Sequence, residues 1–532
     1  MVRFIVFLMT AIIVIVGGLA AFLAVHDKKT KYAVSSGEIE IPAFSVVEIG
    51  FDHALDRNRG LPYSAGAVID IDNDGKDELF LGGGIRQSDG LFRYLDDRFV
   101  NVVDKAEYVK QGDGHTLGAV VFDIDANGFQ DLIVSREDFI CLYRNNGGRF
   151  SLQLLDIDFP PGGVPLAVSI ADLNRDGHFD FIVPFTGRGT LKNWYLLKDS
   201  EKEISPKLYI NNGDDTFSDI TDTVGLGHAG GALQTIFTDL DEDGLEDIVV
   251  LYSNGILRTW KNRGNLLFEN KYHSMSNHRG DYQGMGVGDY NGDGRVDFLL
   301  TNRGSTIPKI IADLLAKYRS QRHPQWVLMK NMGFFSFHNE ASGAQVADYE
   351  LARGALFEDI NGDGLADLLV SQNHPYWPLH YLPSFRLPGR ILLQDNDGKF
   401  LEAQNTHIFD NFQFGMTPLA GDFNGDGLPD IAQINIGGRS TVLLNKGGKN
   451  HFLKVVLPDT ARSLGAIVRV KMLSGKIVSR PFLVGRNIGS DSSHALFFGL
   501  GQEKATDVMV QYVDGKKDQT SGVLLNTIVV FQ

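Results

Sequence analysis

The chain has 532 residues with 66 acidic and 50 basic side chains, and its formal charge of −16 argues against nucleic acid as a partner. Its 60 glycines favour an all-β protein with many tight turns. The only cysteine, Cys141, excludes an intramolecular disulfide, and its apolar neighbours predict a buried structural thiol.

The N-terminal residues predict a membrane anchor. Phe4 to Val25 is an uncharged run of 22 residues, which is long enough to span a bilayer as one helix. A cleaved signal peptide usually has a shorter apolar core and an Ala-x-Ala site, so we favour a retained transmembrane helix over residues 1–25. Residues 26–44 would be a linker that holds the bulk of the protein outside the cytoplasm, in the periplasm or at the cell surface. Cleavage of the segment would instead release a secreted protein.

An aspartate-rich loop of nine residues occurs seven times, and we number these copies loops 1 to 7 in chain order. They cover residues 70–78, 123–131, 172–180, 239–247, 289–297, 359–367 and 422–430. Each loop has glycine at position 6 and an oxygen-bearing side chain at positions 1, 3, 5 and 9. Position 1 is Asp70, Asp123, Asp172, Asp239, Asp289, Asp359 and Asp422. Position 3 is Asp72, Asp125, Asn174, Asp241, Asn291, Asn361 and Asn424. Position 5 is Asp74, Asn127, Asp176, Asp243, Asp293, Asp363 and Asp426. Position 9 is Glu78, Asp131, Asp180, Asp247, Asp297, Asp367 and Asp430.

These ligand positions predict calcium. Several hard oxygen ligands on a tightly turned loop suit Ca²⁺, whereas zinc and copper prefer the sulfur and imidazole ligands that do not recur here. A single Asp-Gly or Asn-Gly pair could be a plain hairpin turn. Seven copies with the same four ligand positions favour up to seven Ca²⁺ ions, whose charge would offset most of the acidity of the chain.

Position 12 separates these loops from EF-hands, which need a bidentate glutamate there. The residues found are Leu81, Val134, Val183, Val250, Leu300, Val370 and Gln433. Short apolar runs follow each loop, such as Leu132-Ile-Val, and these predict buried strands rather than helices. Each loop is therefore expected to connect two strands.

The spacing of the loops predicts a propeller. Their first residues are 49 to 70 positions apart, and about 50 residues make one four-stranded blade. A second repeat, as in Leu142-Tyr-Arg-Asn-Asn-Gly-Gly-Arg-Phe150, predicts another hairpin in each blade. We expect a seven-bladed β-propeller over residues 45–448, or eight blades if residues 45–65 belong to a degenerate unit; an open solenoid is the alternative.

Three insertions interrupt the repeat, at residues 184–206, 305–320 and 373–390. Residues 305–320 have apolar side chains at helical spacing, which predicts a helix laid against the side of the ring or binding a partner. The segment 373–390 is rich in aromatic residues and proline, and Tyr376, Trp377 and Tyr381 are candidate ligand-binding residues. The alternative is a proline-stiffened loop that packs its own aromatic side chains.

The chain resembles a known family. The loops and the small residues before them, such as Gly66-Ala67 and Gly118-Ala119, are similar to the FG-GAP, or VCBS-like, repeats of integrin α-subunit propellers. The stretch 285–297 resembles the cartilage acidic protein family and its bacterial relatives, whose C-terminal ASPIC/UnbV domain is similar to residues 449–532. The quoted matches there are Leu464-Gly-Ala-Ile-Val-Arg-Val470 and Phe498-Gly-Leu-Gly501. This resemblance implies a small C-terminal β domain after the propeller.

Two functions are consistent with this sequence, and a third, a purely structural anchor for an envelope complex, is not separable from the first of them by sequence. The first is a non-catalytic, membrane-tethered module in which calcium ties the blade hairpins and loops bind a protein or glycan. The second is a calcium-dependent carbohydrate-active enzyme, such as a polysaccharide lyase or a sugar dehydratase, as in some relatives of this architecture. A lyase needs a base near a cation, and only the segment 373–390 offers both, with Arg386 or Arg390 beside His374 or His380. No common catalytic motif is present, so we favour the first function.

Overall fold

The computed structural model describes residues 39–58, 60–188, 204–214, 216–227, 230–276, 278–304, 323–383, 386–403 and 410–532. Strands dominate this part of the chain, which confirms the all-β class. The predicted transmembrane segment 1–25 and the predicted helix at 305–320 lie outside the described residues. Within the described ranges no helix has the length and apolar character to cross a membrane.

Seven sheets each contain one of the seven loops, and we number them sheets 1 to 7 after that loop. In sheets 1 to 6 the four repeat strands run from the inner one to the outer one in chain order. Sheet 1 has Gly66–Ile69, Glu78–Leu81, Gly90–Leu95 and Arg98–Asn101, and sheet 2 has Thr116–Phe122, Asp131–Arg136, Ile140–Asn145 and Phe150–Leu154. Sheet 3 has Ser169–Ala171, Asp180–Val183, Lys207–Asn211 and Phe217–Asp219, and sheet 4 has Ala232–Thr238, Asp247–Tyr252, Leu257–Asn262 and Phe268–Lys271. Sheet 5 has Gly284–Gly288, Asp297–Thr301, Val327–Asn331 and Phe337–Asn339, and sheet 6 has Ala352–Glu358, Asp367–Gln372, Arg390–Gln394 and Phe400–Glu402. Sheet 7 has Phe414–Gly421, Asp430–Ile436 and Arg439–Asn445, and a short ladder joins Gly163–Pro165 to Phe185–Gly187 beside sheet 3.

The outer strand of sheet 7 comes from the start of the described chain. Phe44–Asp52 pairs antiparallel with Arg439–Asn445, with Phe44 opposite Asn445. This strand was the possible degenerate eighth unit, and its pairing instead completes sheet 7. Joining the two ends of the repeat in one sheet is a way to leave no open edge.

The inner strands form a propeller-like ring. The inner strand of sheet 1 contacts those of sheets 2 and 7, and contacts between successive inner strands continue from sheet 3 through sheet 7. Sheets 2 and 3 meet where the backbone of Gly118 packs against that of Leu166 and Ala167, with no room for a side chain on Gly118. Every residue of the inner strand Ala232–Thr238 and of the second strand Asp247–Tyr252 is buried, because neighbouring sheets cover both faces. Outer strands are more exposed, and in Phe150–Leu154 only Phe150 is buried.

The two ends of the ring carry different connections. All seven loops join an inner strand to a second strand, so they lie together at one end, which we call the loop face. The second strands run away from it, and the three insertions join second strands to third strands in sheets 3, 5 and 6. The opposite end is therefore called the insertion face.

The C-terminal residues form two further sheets that pack on the loop face. One contains Leu496–Gly501, His451–Val456 and Thr527–Val530, and the other contains Ile477–Pro481, Ile467–Met472, Ala505–Gln511 and Lys517–Ser521. Their apolar side chains share one buried cluster with sheets 2 and 3 that includes Phe122, Phe181, Val455 and Val468. The C-terminal domain is thus packed into the ring and not merely linked to it.

Residues 486–493 of this domain, which we call the central segment, run along the inner strands. Ser490–Asp491 pairs in parallel with the inner strand of sheet 1, and Gly66 N–H donates to Ser490 Oγ at 3.0 Å. Asn487 Nδ2 donates to Pro418 O of sheet 7 at 3.2 Å. The Ile488 side chain is fully buried with Leu117, Leu166, Leu233 and Met416, which lie on or beside inner strands of different sheets. The centre of the ring is therefore filled.

Candidate metal centres

Each loop begins where an inner strand ends, and its position-9 carboxylate is the first residue of the second strand. Two positions need a left-handed backbone. The glycine at position 6 has φ between +84° and +91° in all seven loops. Position 4 also has positive φ, as at Ala126 with φ +56°, and loops 5 to 7 have glycine there. Glycine adopts this conformation at little cost, which explains its presence at both places.

The position-1 carboxylate organises the turn. In loop 2 the N–H groups of Asn127 and Gly128 donate to Asp123 at 3.1 and 2.8 Å. The corresponding glycine N–H donates to position 1 in every loop. The position-5 side chain in turn accepts the N–H of position 7, as Asp176 does from His178 at 2.8 Å. These bonds fix the direction of the loop carboxylates without using all of their lone pairs.

The position-9 carboxylate joins the loop to the third strand of its sheet. In loop 2 Asp131 accepts the N–H of Ile124 at 2.9 Å and that of Asn145 at 2.7 Å. The same pair of bonds recurs in loops 3 to 7. All seven position-9 residues are 0% exposed. Each carboxylate is therefore held rigidly at the base of its loop.

Burial makes these carboxyl groups hard to ionise unless a cation is nearby. Burial raises the pKa of Asp131 and Asp180 to about 7 and that of Asp247 to about 8. It raises the pKa of Glu78 to about 8 as well, and those of Asp297, Asp367 and Asp430 well above the usual range. A bound divalent cation would favour the charged form and oppose this effect of burial.

The oxygens of several loops converge as a cation site requires. Carboxylate oxygens of positions 1, 3 and 9 lie within 4.8 Å of one another in loops 1, 2 and 4. Two loop oxygens, Asp241 Oδ1 and Asp422 Oδ1, are buried and have no hydrogen-bond partner in the described part of the chain. A buried anionic oxygen without a partner is costly, so these residues fit a Ca²⁺ ion.

Basic side chains of the third strand, which the sequence analysis did not single out, also belong to these centres. Arg93 Nη2 lies 2.7 Å from Asp72, Arg144 Nη1 lies 3.4 Å from Asp125, and Lys261 Nζ contacts Asp241. Lys454 of the C-terminal domain adds a fourth cation, with Nζ 2.7 Å from Asp422. The repeated Arg-Asn and Lys-Asn pairs were visible in the sequence, but their partners depend on strand register.

The asparagine that ends most third strands connects neighbouring sheets. Asn145 Nδ2 donates to Ile71 O in the preceding loop at 2.8 Å, and Asn445 Nδ2 donates to Ile360 O at 2.9 Å. Gln394 takes the same role toward Tyr290 O at 3.1 Å. Position 2 of one loop is thus tied to the next sheet, so the loops also hold the ring together.

The aromatic residues of the segment 373–390 mostly pack against the protein. Tyr376 Oη donates to Gly60 O at 2.6 Å, and Tyr381 contacts Phe414 and lies under the Arg57 guanidinium. Trp377 is half-buried, at the start of the short 3₁₀ helix Pro378–Tyr381. These contacts favour the self-packing alternative for Tyr376 and Tyr381.

The groups proposed for a lyase are also engaged internally. Arg390 is buried between Glu350, at 2.8 Å, and Glu402. The His374 N–H donates to His380 Nδ1 at 3.0 Å, and burial lowers the pKa of His380 to about 3. Arg386 Nε donates to His380 O at 2.9 Å. Cys141 is buried and free, as predicted.

Comparison with known proteins agrees with the repeats seen here. The FG-GAP-like repeat model matches residues 123–183, 239–300 and 359–433. Cartilage acidic protein 1 of Xenopus tropicalis is 24% identical over 315 residues, which is 56% of this chain and 44% of that protein. The chain therefore aligns with less than half the length of this relative.

Two solved structures that match this chain have low sequence identity to it. The BBS1N structure in complex with ARL6DN is 11% identical, covers 75% of this chain and 98% of its own, and has a TM-score of 0.43. YCF48 bound to D1 peptide is 10% identical, covers 78% and 98%, and has a TM-score of 0.42. The chain itself carries FG-GAP-like repeats and is similar to cartilage acidic protein 1, as its sequence indicated.

Proposed function

We propose that this protein is a calcium-binding seven-bladed β-propeller, tethered to a membrane outside the cytoplasm, that binds a protein or glycan partner without catalysis of its own. The observation that carries this proposal is the repeated loop geometry. Position 1 accepts the glycine N–H in all seven loops, and position 9 accepts the same pair of main-chain N–H groups in loops 2 to 7. The buried Asp422 Oδ1 has no hydrogen-bond partner among the described residues. When bound, Ca²⁺ would neutralise these oxygens and tie each hairpin to its sheet.

The insertion face is the better candidate for partner binding, because the C-terminal domain packs on the loop face. Leu382 and Phe412 are 51% and 44% exposed, and Arg386 Nη1 donates to Phe412 O at 3.4 Å. Trp377 belongs to the same insertion. Aromatic and arginine side chains among exposed apolar groups are typical of binding hot spots.

Thermal unfolding of the full chain in detergent tests the calcium part of the proposal. We expect a clear rise in melting temperature in millimolar calcium relative to chelator, because each filled site adds about 2.7 kcal/mol when calcium exceeds its Kd 100-fold. Equal melting temperatures in calcium and chelator would show that the loops are only turns.

Partner binding is tested with glycan arrays and with cross-linking to envelope proteins. Trp377→Ala should weaken the glycan or protein binding that these experiments detect. Leu473→Ala, at an exposed site of the C-terminal domain, should leave that binding unchanged. Membrane tethering is tested separately by whether the chain resists alkaline extraction from membranes. If alkaline treatment releases the protein into the soluble fraction, the membrane tether is wrong and the protein is secreted.

The enzyme alternative has weaker support. Arg390 is neutralised by Glu350 and Glu402, and His374 and His380 are buried. A base and a cation that face substrate together are therefore lacking among the described residues of this insertion.

A further inference from the structure

Aspartate at position 3 of a loop occurs together with a basic residue on the third strand of the same sheet. Arg93, Arg144 and Lys261 occupy equivalent positions in their third strands. In each sheet the first apolar residue of the second strand pairs with a residue of the third strand, and the basic residue comes directly after that paired residue. The equivalent residues in sheets 3, 5, 6 and 7 are Ile210, Lys330, Leu393 and Leu444. Position 3 is aspartate only in loops 1, 2 and 4, whose sheets supply the three basic residues that contact it. In the other four loops it is asparagine.

The three basic residues are placed to act on a bound ion. Lys261 contacts both Asp241 and Asp243, and its side chain is only 8% exposed. Arg93 bridges Asp72 and Glu78, at 2.7 and 2.5 Å. A positive charge in contact with two ligand carboxylates opposes the approach of a second cation, and the opposition is strongest where water is excluded.

We propose that Arg93, Arg144 and Lys261 are built-in counter-ions that lower the calcium affinity of loops 1, 2 and 4, so that the loops fill in two groups. This inference rests on the calcium function proposed above. The extra aspartate and its counter-ion keep these three loops folded at low calcium, whereas loops 3 and 6 depend on the ion. Loops 5 and 7 are excluded from this comparison, because Arg295 Nη1 lies 3.3 Å from Asp293 of loop 5 and Lys454 contacts loop 7 from another domain.

Loop 4 offers the sharpest test, because Lys261 is the least exposed counter-ion and touches two ligands. Calcium is titrated into the full chain and the bound ions are counted by native mass spectrometry. Lys261→Met should raise the affinity of one site at least tenfold, so that one ion moves from the late group to the early group. The matched control is Lys330→Met, at the equivalent position of sheet 5, where position 3 is Asn291 and no ion pair joins the lysine to a described loop carboxylate.

A second variant separates affinity from misfolding. Lys261→Met combined with Asp241→Asn recreates the neutral pair of loop 3, where Ile210 and Asn174 occupy these positions. The double variant should fold in chelator better than Lys261→Met alone and still bind calcium in the early group. If Lys261→Met binds calcium as the wild type does, the counter-ion proposal is wrong while the calcium function stands. If the wild type binds no calcium, the proposed function itself fails.

Discussion

Single residues at the junction between the C-terminal domain and the ring carry buried charge. His494 Nδ1 lies 2.8 Å from Asp459 and its Nε2 lies 3.3 Å from Asp491, so both ring nitrogens face carboxylates, which favours the imidazolium form. Asp491 also accepts the N–H groups of Val121 and Gly485 at 3.2 and 2.9 Å. The charge of His494 thus connects the central segment, the C-terminal domain and sheet 2.

This arrangement predicts a pH dependence of stability. Burial alone would lower the pKa of His494, but the two carboxylates raise this pKa to about 10, above its usual 6.5. The folded state then binds the proton more tightly, so the stabilisation is complete below pH 6.5 and is lost as the pH rises toward 10. His494→Gln should lower the free energy of unfolding by about 3 kcal/mol at pH 6.5 and flatten this dependence, since it leaves two buried carboxylates unpaired.

Chemical denaturation between pH 6.5 and 10 measures this effect. His338→Gln is the control, because His338 pairs with Glu340 at 2.9 Å on the surface and its loss should cost almost nothing. An unchanged pH profile in His494→Gln would mean that other groups dominate the alkaline loss of stability.

A second prediction at this scale concerns position 4 of the loops. Ala126 has φ +56° in loop 2, a conformation that costs a non-glycine residue about 1–2 kcal/mol. Ala126→Gly should therefore raise the free energy of unfolding, by up to about 1 kcal/mol after the entropy cost of glycine. Ala119→Gly, in a buried inner strand, should lower it instead. Urea denaturation in chelator compares the two, and a loss of stability in Ala126→Gly would contradict the strain argument.

At the level of elements, the sequence predicted the loop and strands within each sheet but not the contacts between sheets. The ligand positions, the glycine at position 6 and the apolar run after position 9 are local, so the sequence predicted a loop between two strands. The partners of Arg93 and Asn145 depend on which strands pair and in what register. The central segment comes from the C-terminal domain and lies more than 60 residues after the last inner strand, Phe414–Gly421. Its position in the ring therefore depends on how that domain packs. No local pattern reports such contacts.

The inter-sheet asparagine gives a prediction for these elements. Asn145→Ala removes the bonds from Nδ2 to Ile71 O and Gln130 O, at 2.8 and 2.9 Å, and leaves both carbonyls without this donor. We expect a loss of about 2–3 kcal/mol, the cost of unpaired buried polar groups. Asn212→Ala is the control, because the described partners of its side chain, Thr216 and Ser218, belong to its own exposed hairpin. Equal losses in the two variants, measured by urea denaturation, would show that the bond between sheets adds nothing.

On the scale of the whole molecule, ring and C-terminal domain share their interior. The central segment fills the ring, and Lys454 of the domain reaches Asp422 in loop 7. The Gly499 N–H also donates to Asp359 Oδ2 of loop 6 at 3.0 Å. Calcium at these two loops would therefore act on the domain interface as well as on the ring. Among the described residues, the apolar side chains of the domain are buried only in clusters that they share with the ring.

Unfolding of the two parts should accordingly be one event. We expect a single calorimetric transition for the described β structure, and chelation should move it to lower temperature without splitting it, because the same interface holds both parts. Ile488→Ala should lower that transition as a whole, with a loss of about 2–5 kcal/mol for a buried isoleucine at the centre of the ring. Ile528→Ala, at a partly exposed site of the same domain, is the control and should change it little. Two separated transitions, with only one shifted by Ile488→Ala, would mean that the ring folds without its central segment and that its centre can open.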